Sequence, residues 1–183
     1  LLNYEKGEDV PQDLPAATAL YLEIAKHTYR ESSSAPPAQY KLCQLYIAGK
    51  GVPQDYALAK SWCRKAGTAD AYMVMASMAE KGLGQARDPR EAMELYRSAA
   101  LQGPLQAYME TARMKIEIGS HDEVKNAYFW YAIAAWSELP GANARLTETA
   151  AHLNQKEIAE VQNLVAKWPD MNAGQRAKTL KQH

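Results

Sequence analysis

The chain has 183 residues with Lys+Arg and Asp+Glu both at 21, so its formal net charge is zero. That length suffices for one domain with a continuous core, and the lack of a basic excess argues against a nucleic-acid partner, which needs a basic face. Apolar residues make up 47% with a single Phe, no run approaches the ~20 apolar residues of a membrane span, and the many alanines suit close helix packing rather than a thick sheet core.

Taken in order, residues 1–10 read as the tail of a helix, because Tyr4 and Gly7 have the spacing of Tyr46 and Gly49 further on. The expectation is a first helix cut short at Leu1. Either residues upstream of Leu1 exist in the natural protein, or this N-terminal edge forms a homodimer that covers Leu20, Tyr21 and Ile24. Asp13 within PQDLP caps a second helix over 16–29. RESSSAPP, residues 30–37, is the one low-complexity stretch and reads as a connector. Ala38, Leu42, Leu45 and Tyr46 then share one helical face. Gly49 and Gly51 end that helix, and Asp55 starts the next, where Ala59, Trp62, Cys63 and Ala66 share a face.

The pattern continues with a helix over 71–81, in which Met73, Met75 and Met78 are read mainly as core filler. Asp88-Pro89-Arg90-Glu91 marks the start of a helix over 89–101, ended by Gly103-Pro104. Helix 105–118 stops at Gly119-Ser120, and the aromatic-rich helix 123–137 is broken at Pro140-Gly141. Helix 142–153 follows. Asn154 with Glu157 forms a capping box for helix 155–168, whose stripe of Ile158, Val161, Leu164, Val165 and Trp168 suits a cap. Residues 169–183 lack periodicity and read as a flexible basic tail.

These elements repeat. One alanine recurs at Ala17, Ala59, Ala92 and Ala127, each four residues after an acidic start at Asp13, Asp55, Asp88 and Glu123. An aromatic follows each: Tyr21, Trp62, Tyr96, then Trp130 and Tyr131. A second alanine recurs at Ala38, Ala71, Ala107 and Ala142. Periods in the mid-thirties signify an array of helical hairpins that must stack to bury their faces. The stretch AQYKLCQLYIAGKGVPQDYALAKSWCRKA, residues 38–66, resembles the Sel1-like repeat almost position for position. GLGQARDPREAMELYRSAA resembles it with a shifted loop, and AYFWYAIAAW followed by NQKEIAEVQNLVAKW resembles the end of many bacterial Sel1-like proteins. The resemblance implies an all-α fold: a right-handed superhelix (solenoid) of about four hairpins plus a C-terminal capping helix, over residues 1–168.

Reactive constellations are sparse. His27, His121, His152 and His183 lack zinc-ligand spacing. Ser120-His121-Asp122 is no triad, because three neighbours in a turn cannot aim at one atom. Gly49-Lys50-Gly51 and Gly82-Leu83-Gly84 lack the spacing and preceding strand of a phosphate loop. The expectation is therefore no enzyme, no metal and no cofactor. Cys43 stands where the Sel1-like pattern has a small residue, and Cys63 follows Trp62 on the partner helix. Their faces oppose, which admits a disulfide. The resemblance favours two buried thiols, since its bridging pairs sit near helix ends.

By resemblance the chain binds a protein partner in a concave groove. One use among small bacterial members is as an immunity protein against a secreted toxin, such as a phospholipase effector. The alternative is a scaffold or regulatory subunit of a bacterial envelope assembly for polysaccharide export, motility or signalling. Either implies a periplasmic or secreted protein, and the residues themselves leave the cytoplasm open. In each first helix, positions two, six and nine beyond the alanine point away from the hairpin core. They nominate Tyr40, Gln44 and Ile47, then Met73, Ser77 and Glu80, then Met109, Arg113 and Ile116 as partner-binding residues, with Tyr40, Met73 and Met109 aligned in an apolar row.

Overall fold

The computed structural model describes residues 13–27 and 35–183, and all regular structure among them is helical. The helices are α1 Leu14–His27, α2 Ala35–Ala48, α3 Tyr56–Ala66, α4 Ala69–Lys81, α5 Pro89–Ala100, α6 Leu105–Ile118, α7 His121–Trp136, α8 Ala142–Ala150, α9 Gln155–Ala166 and α10 Ala173–Gln182. The helix tail expected over residues 1–10 and most of the RESSSAPP connector lie outside the described residues. The rest of that connector, Ala35-Pro36-Pro37, is already the first turn of α2. A first turn accepts proline because its N–H groups have no intrahelical acceptor.

Helix starts are set by side-chain oxygens. Asp13 accepts from the Ala16 N–H at 2.9 Å, Asp55 from Leu58 at 2.9 Å, and Asp88 from Arg90 and Glu91 at 3.0 Å each. The fourth start differs from the expected Glu123. Ser120 caps α7 by accepting from the Glu123 N–H at 3.2 Å, so the helix begins at His121. Glu123 instead takes the Lys115 ammonium at 2.7 Å, tying α7 to α6 through an almost fully buried lysine.

The chain forms two compact units, Leu1–Arg87 and Asp88–His183. In the first, α2 packs along α3, α1 against α2, and α3 against α4. Ala17, Ala38, Ala59, Ala66 and Ala71 are all buried, and Ala59 is sealed completely. With alanines on the buried faces of both helices, α2 and α3 approach closely enough that the Cα atoms of Cys43 and Cys63 stand 5.2 Å apart, and the two cysteines form a disulfide. This corrects the expectation of two thiols. The bridge lies mid-helix, where that separation falls within disulfide reach. Met75 and Met78 are core residues, while Met73 is half-buried.

Two glycines in this unit hold equivalent places. Gly51 has φ +73, and a Cβ there would lie 2.6 Å from the Leu14 carbonyl carbon and oxygen. Gly84 has φ +75, and its Cβ would overlap that of Tyr56. Leu14 and Tyr56 are the first residues of α1 and α3, each directly after its capping aspartate. In both loops the second glycine leaves room for the start of the preceding unit's second helix.

In the second unit α6 packs on both α5 and α7, and α7 also takes α8 and α9. Residues Ala127 to Ala134 are buried without interruption, so α7 is the centre of this unit. Phe129 and Trp130 meet edge-on at 6.1 Å, and Tyr108 reaches Trp130 at 5.6 Å. α9 opens with the expected capping box, Asn154 and Glu157 exchanging bonds of 2.9 and 3.0 Å. Its Val161 is buried, as is Trp168 just beyond its end. Glu157 and Glu160 fasten α9 to α7 through His121 at 2.7 Å and Lys125 at 2.5 Å.

The tail expected to be flexible is instead helical. Asn172 and Gln175 form a second capping box, and α10 buries Leu180. His183 stacks on Phe129 at a centroid distance of 4.4 Å and shares a hydrogen bond with Asn126 at 3.1 Å. Burial, then the nearby Lys115 and Lys125, holds this imidazole below its ordinary 6.5. A polar, lysine-bearing segment is ordered here because one leucine and one ring find apolar seats.

Replacing both Cys43 and Cys63 by Ala is expected to lower stability by about 3 kcal/mol in denaturant melts, the loop-closure entropy of a bridge between residues 20 apart. Unchanged stability would mean that the bridge does not form. Gly84→Ala is expected to cost roughly 2–4 kcal/mol, adding a clash to the left-handed backbone strain. Gly141→Ala serves as the control. Its φ is +82 but its Cβ would meet nothing within 4 Å, so it is expected to cost only about 1–2 kcal/mol. Equal losses would refute the close-approach role of Gly84.

Candidate protein-binding cleft

Within the second unit, α6, α7 and α8 enclose a cleft of about 360 Å³. The sequence builds it locally. Gly119, in the left-handed conformation, ends α6, and Ser120 immediately caps α7. α7 runs to Trp136, and Gly141 then launches α8. Arg113 and Ile116 come from α6, Val124 and Tyr131 from α7, and Arg145, Glu148 and Thr149 from α8, with His152 just beyond it.

The two arginines are held, not loose. Arg113 Nε donates to Glu110 at 2.8 Å, with Glu117 at 3.8 Å from its Nη1. Arg145 Nη1 donates to Glu148 at 3.0 Å. All three pairs are i,i+3 or i,i+4 pairs on one helix, and at this exposure each contributes little to stability. They place two guanidinium groups, each paired with a carboxylate of its own helix, at the cleft. Tyr131 forms a buried wall. Burial raises its phenol above the ordinary 10.0, Arg145 and then Arg113 oppose that rise, and Glu110 and Glu148 add to it. The cleft is thus a partly apolar recess lined by both signs of charge and a tyrosine.

Of the nine nominated residues, the structure brings Arg113 and Ile116 together here. Met109 lies on the same helix, half-buried. Tyr40, Gln44 and Ile47 lie on α2 and Met73, Ser77 and Glu80 on α4, in the first unit; Gln44 is exposed and the other five are half-buried. Sequence reasoning missed Tyr131, Arg145, Thr149 and His152. Applying the same offset to Ala142 points to Glu148, so one further step along the array reaches the cleft's third helix. Among the described residues no group of His, Cys, Asp and Glu could hold a metal, and no helix is long and apolar enough to cross a membrane.

Stacked helical hairpins with alanine contacts, aspartate-capped starts and glycine loops define a protein-binding helical repeat. The chain belongs to the Sel1 repeat family, whose sequence model matches residues 2–29, 36–70 and 69–104, more than half of its length. Such repeats are typically non-catalytic scaffolds for protein partners. Among solved structures, a Sel1 repeat protein from Oxalobacter formigenes is similar at a TM-score of 0.70 and 24% identity, over 91% of this chain and 70% of that one. The protein c5321, described as a protective antigen present in uropathogenic Escherichia coli strains displaying an SLR fold, is similar at 0.62 and 24% identity. That match covers 90% of this chain and 36% of c5321. At this identity both show the fold alone. No curated protein matches the sequence.

The raised Tyr131 phenol gives a pH test. A folded-state value above the unfolded 10.0 stabilises the fold fully below that pH, and the contribution is lost as pH rises through 10.0 toward the folded value. Tyr131→Phe is therefore expected to flatten the alkaline fall in stability, measured by denaturant melts on either side of that pH. Parallel curves for both proteins would remove burial as the cause.

Proposed function

We propose that the chain is a non-catalytic module that binds a protein partner, and that the cleft of Arg113, Tyr131 and Arg145 anchors it. The observation that supports this reading is that two arginines and a buried tyrosine line one solvent-facing recess. Arginine and tyrosine are the residue types that dominate interface energetics. In the first unit, Tyr40 and Met73 offer apolar surface at equivalent positions of α2 and α4.

A disulfide persists where the surroundings are oxidising, so the Cys43–Cys63 bridge supports a periplasmic or secreted protein. In such a compartment, the finer reading is an immunity protein whose cleft receives a secreted toxin. An envelope-assembly subunit is the outcome if the captured partner is a structural component instead.

The test is affinity capture from periplasmic and secreted fractions of the source cell, followed by calorimetry on the captured protein. Arg113→Ala and Tyr40→Ala are each expected to weaken binding by about 2 kcal/mol, roughly 30-fold, without changing the melting temperature. A partner that binds both variants like the unaltered chain would exclude these residues as anchors.

A further inference from the structure

α10 lies in a groove between the end of α5, the start of α6 and the end of α7. Of its 10 residues only Leu180 is buried. Beneath it a cleft of about 430 Å³ opens, with Leu105, Tyr108 and Trp136 on one side and Ala173, Ala177 and Leu180 on the other. Those last three stand at i, i+4 and i+7, the anchor spacing of a helix laid into a groove. Two of the three anchors are single methyl groups. Trp136 is left 47% exposed, and a close-packed seat would leave no space of this size. The Arg176 bonds, 3.2 and 3.1 Å to the carbonyls of Trp168 and Pro169, fasten α10 to its own preceding turn. Its hold on the groove and the adjoining face of α7 rests on Leu180, on His183 against Phe129 and Asn126, and on the Lys181 carbonyl, which accepts a long 3.5 Å bond from Arg97 Nη1.

We propose that this groove is a docking site for an amphipathic helix of a protein partner, one that carries large apolar residues at i, i+4 and i+7, and that α10 underfills it in cis until displaced. The site is separate from the arginine cleft. Tyr108 and Arg113 point about 140° apart around α6, and Phe129 and Tyr131 about 160° apart around α7, by helical periodicity. The proposal therefore does not depend on the reading of that cleft.

The probe is a fluorescent peptide of residues 171–183 carrying Ala173→Leu and Ala177→Leu, titrated into the full chain by anisotropy. Saturable binding is expected. Ala177→Leu in the chain itself fills the groove in cis, so it is expected to raise the melting temperature and weaken the peptide at least about tenfold. Leu180→Ala loosens α10 and is expected to tighten the peptide. Equal affinity for all three proteins, or no saturable binding to the Leu180→Ala chain, would overturn the proposal. So would a dimer of the unaltered chain that falls apart on Leu180→Ala, since the groove would then belong to a second copy's α10.

Discussion

Close approach of helix backbones at alanine is the constraint on which the rest of this molecule depends. Ala59, Ala71, Ala92, Ala99, Ala107, Ala127 and Ala142 have no solvent exposure at all. A larger side chain at such a contact would push the helices apart and strain the packing around it. The disulfide is one result of that approach, because Cys43 and Cys63 meet only when α2 and α3 are this near. The arginine cleft is another. It is bounded by helices held at fixed spacing, so its backbone walls are in place before any partner arrives.

The two units spend their apolar surface differently. The first relies on alanine, methionine and one covalent bridge. The second concentrates aromatics on α7, where Phe129, Trp130 and Tyr131 are consecutive and all buried. Three consecutive residues span most of a helical turn, so a helix with such a run must be covered on nearly every side. That requirement explains why α6, α8 and α9 all pack on α7, and why His183 is recruited to the face of Phe129. Crowding leaves one loose end: the buried Trp130 indole N–H meets no acceptor among the described residues.

Much of the fold was legible in the sequence because it is written in period and punctuation. The alanine positions, the aspartate caps at Asp13, Asp55 and Asp88, and the capping box at Asn154 depend on local spacing that any reader can count. The bridge was not legible, since it depends on a distance between two helices. α10 was overlooked although Asn172 and Gln175 repeat the signature of Asn154 and Glu157. Its apolar stripe shrinks to Ala173, Ala177 and Leu180, too little to register as amphipathic. At the cleft, the offset rule found Arg113 and Ile116 on α6. It stopped short of α8, and it did not reach Tyr131, a buried side chain on a central helix that also serves as a wall.

The paired contacts of Gly51 with Leu14 and of Gly84 with Tyr56 have a consequence for how such a chain can change length. These two glycines meet the same structural position in the repeat before them, so the two junctions are alike. A segment copied whole from one of these glycines to the next carries one complete half-joint at each end. Duplication of that segment would present the existing neighbours with surfaces they already fit, and no other residue need alter. A copied segment that is not a whole repeat would separate a glycine from the helix start it accommodates. The array is in this sense quantised: it can lengthen or shorten by whole repeats, and partial ones leave a mismatched seam.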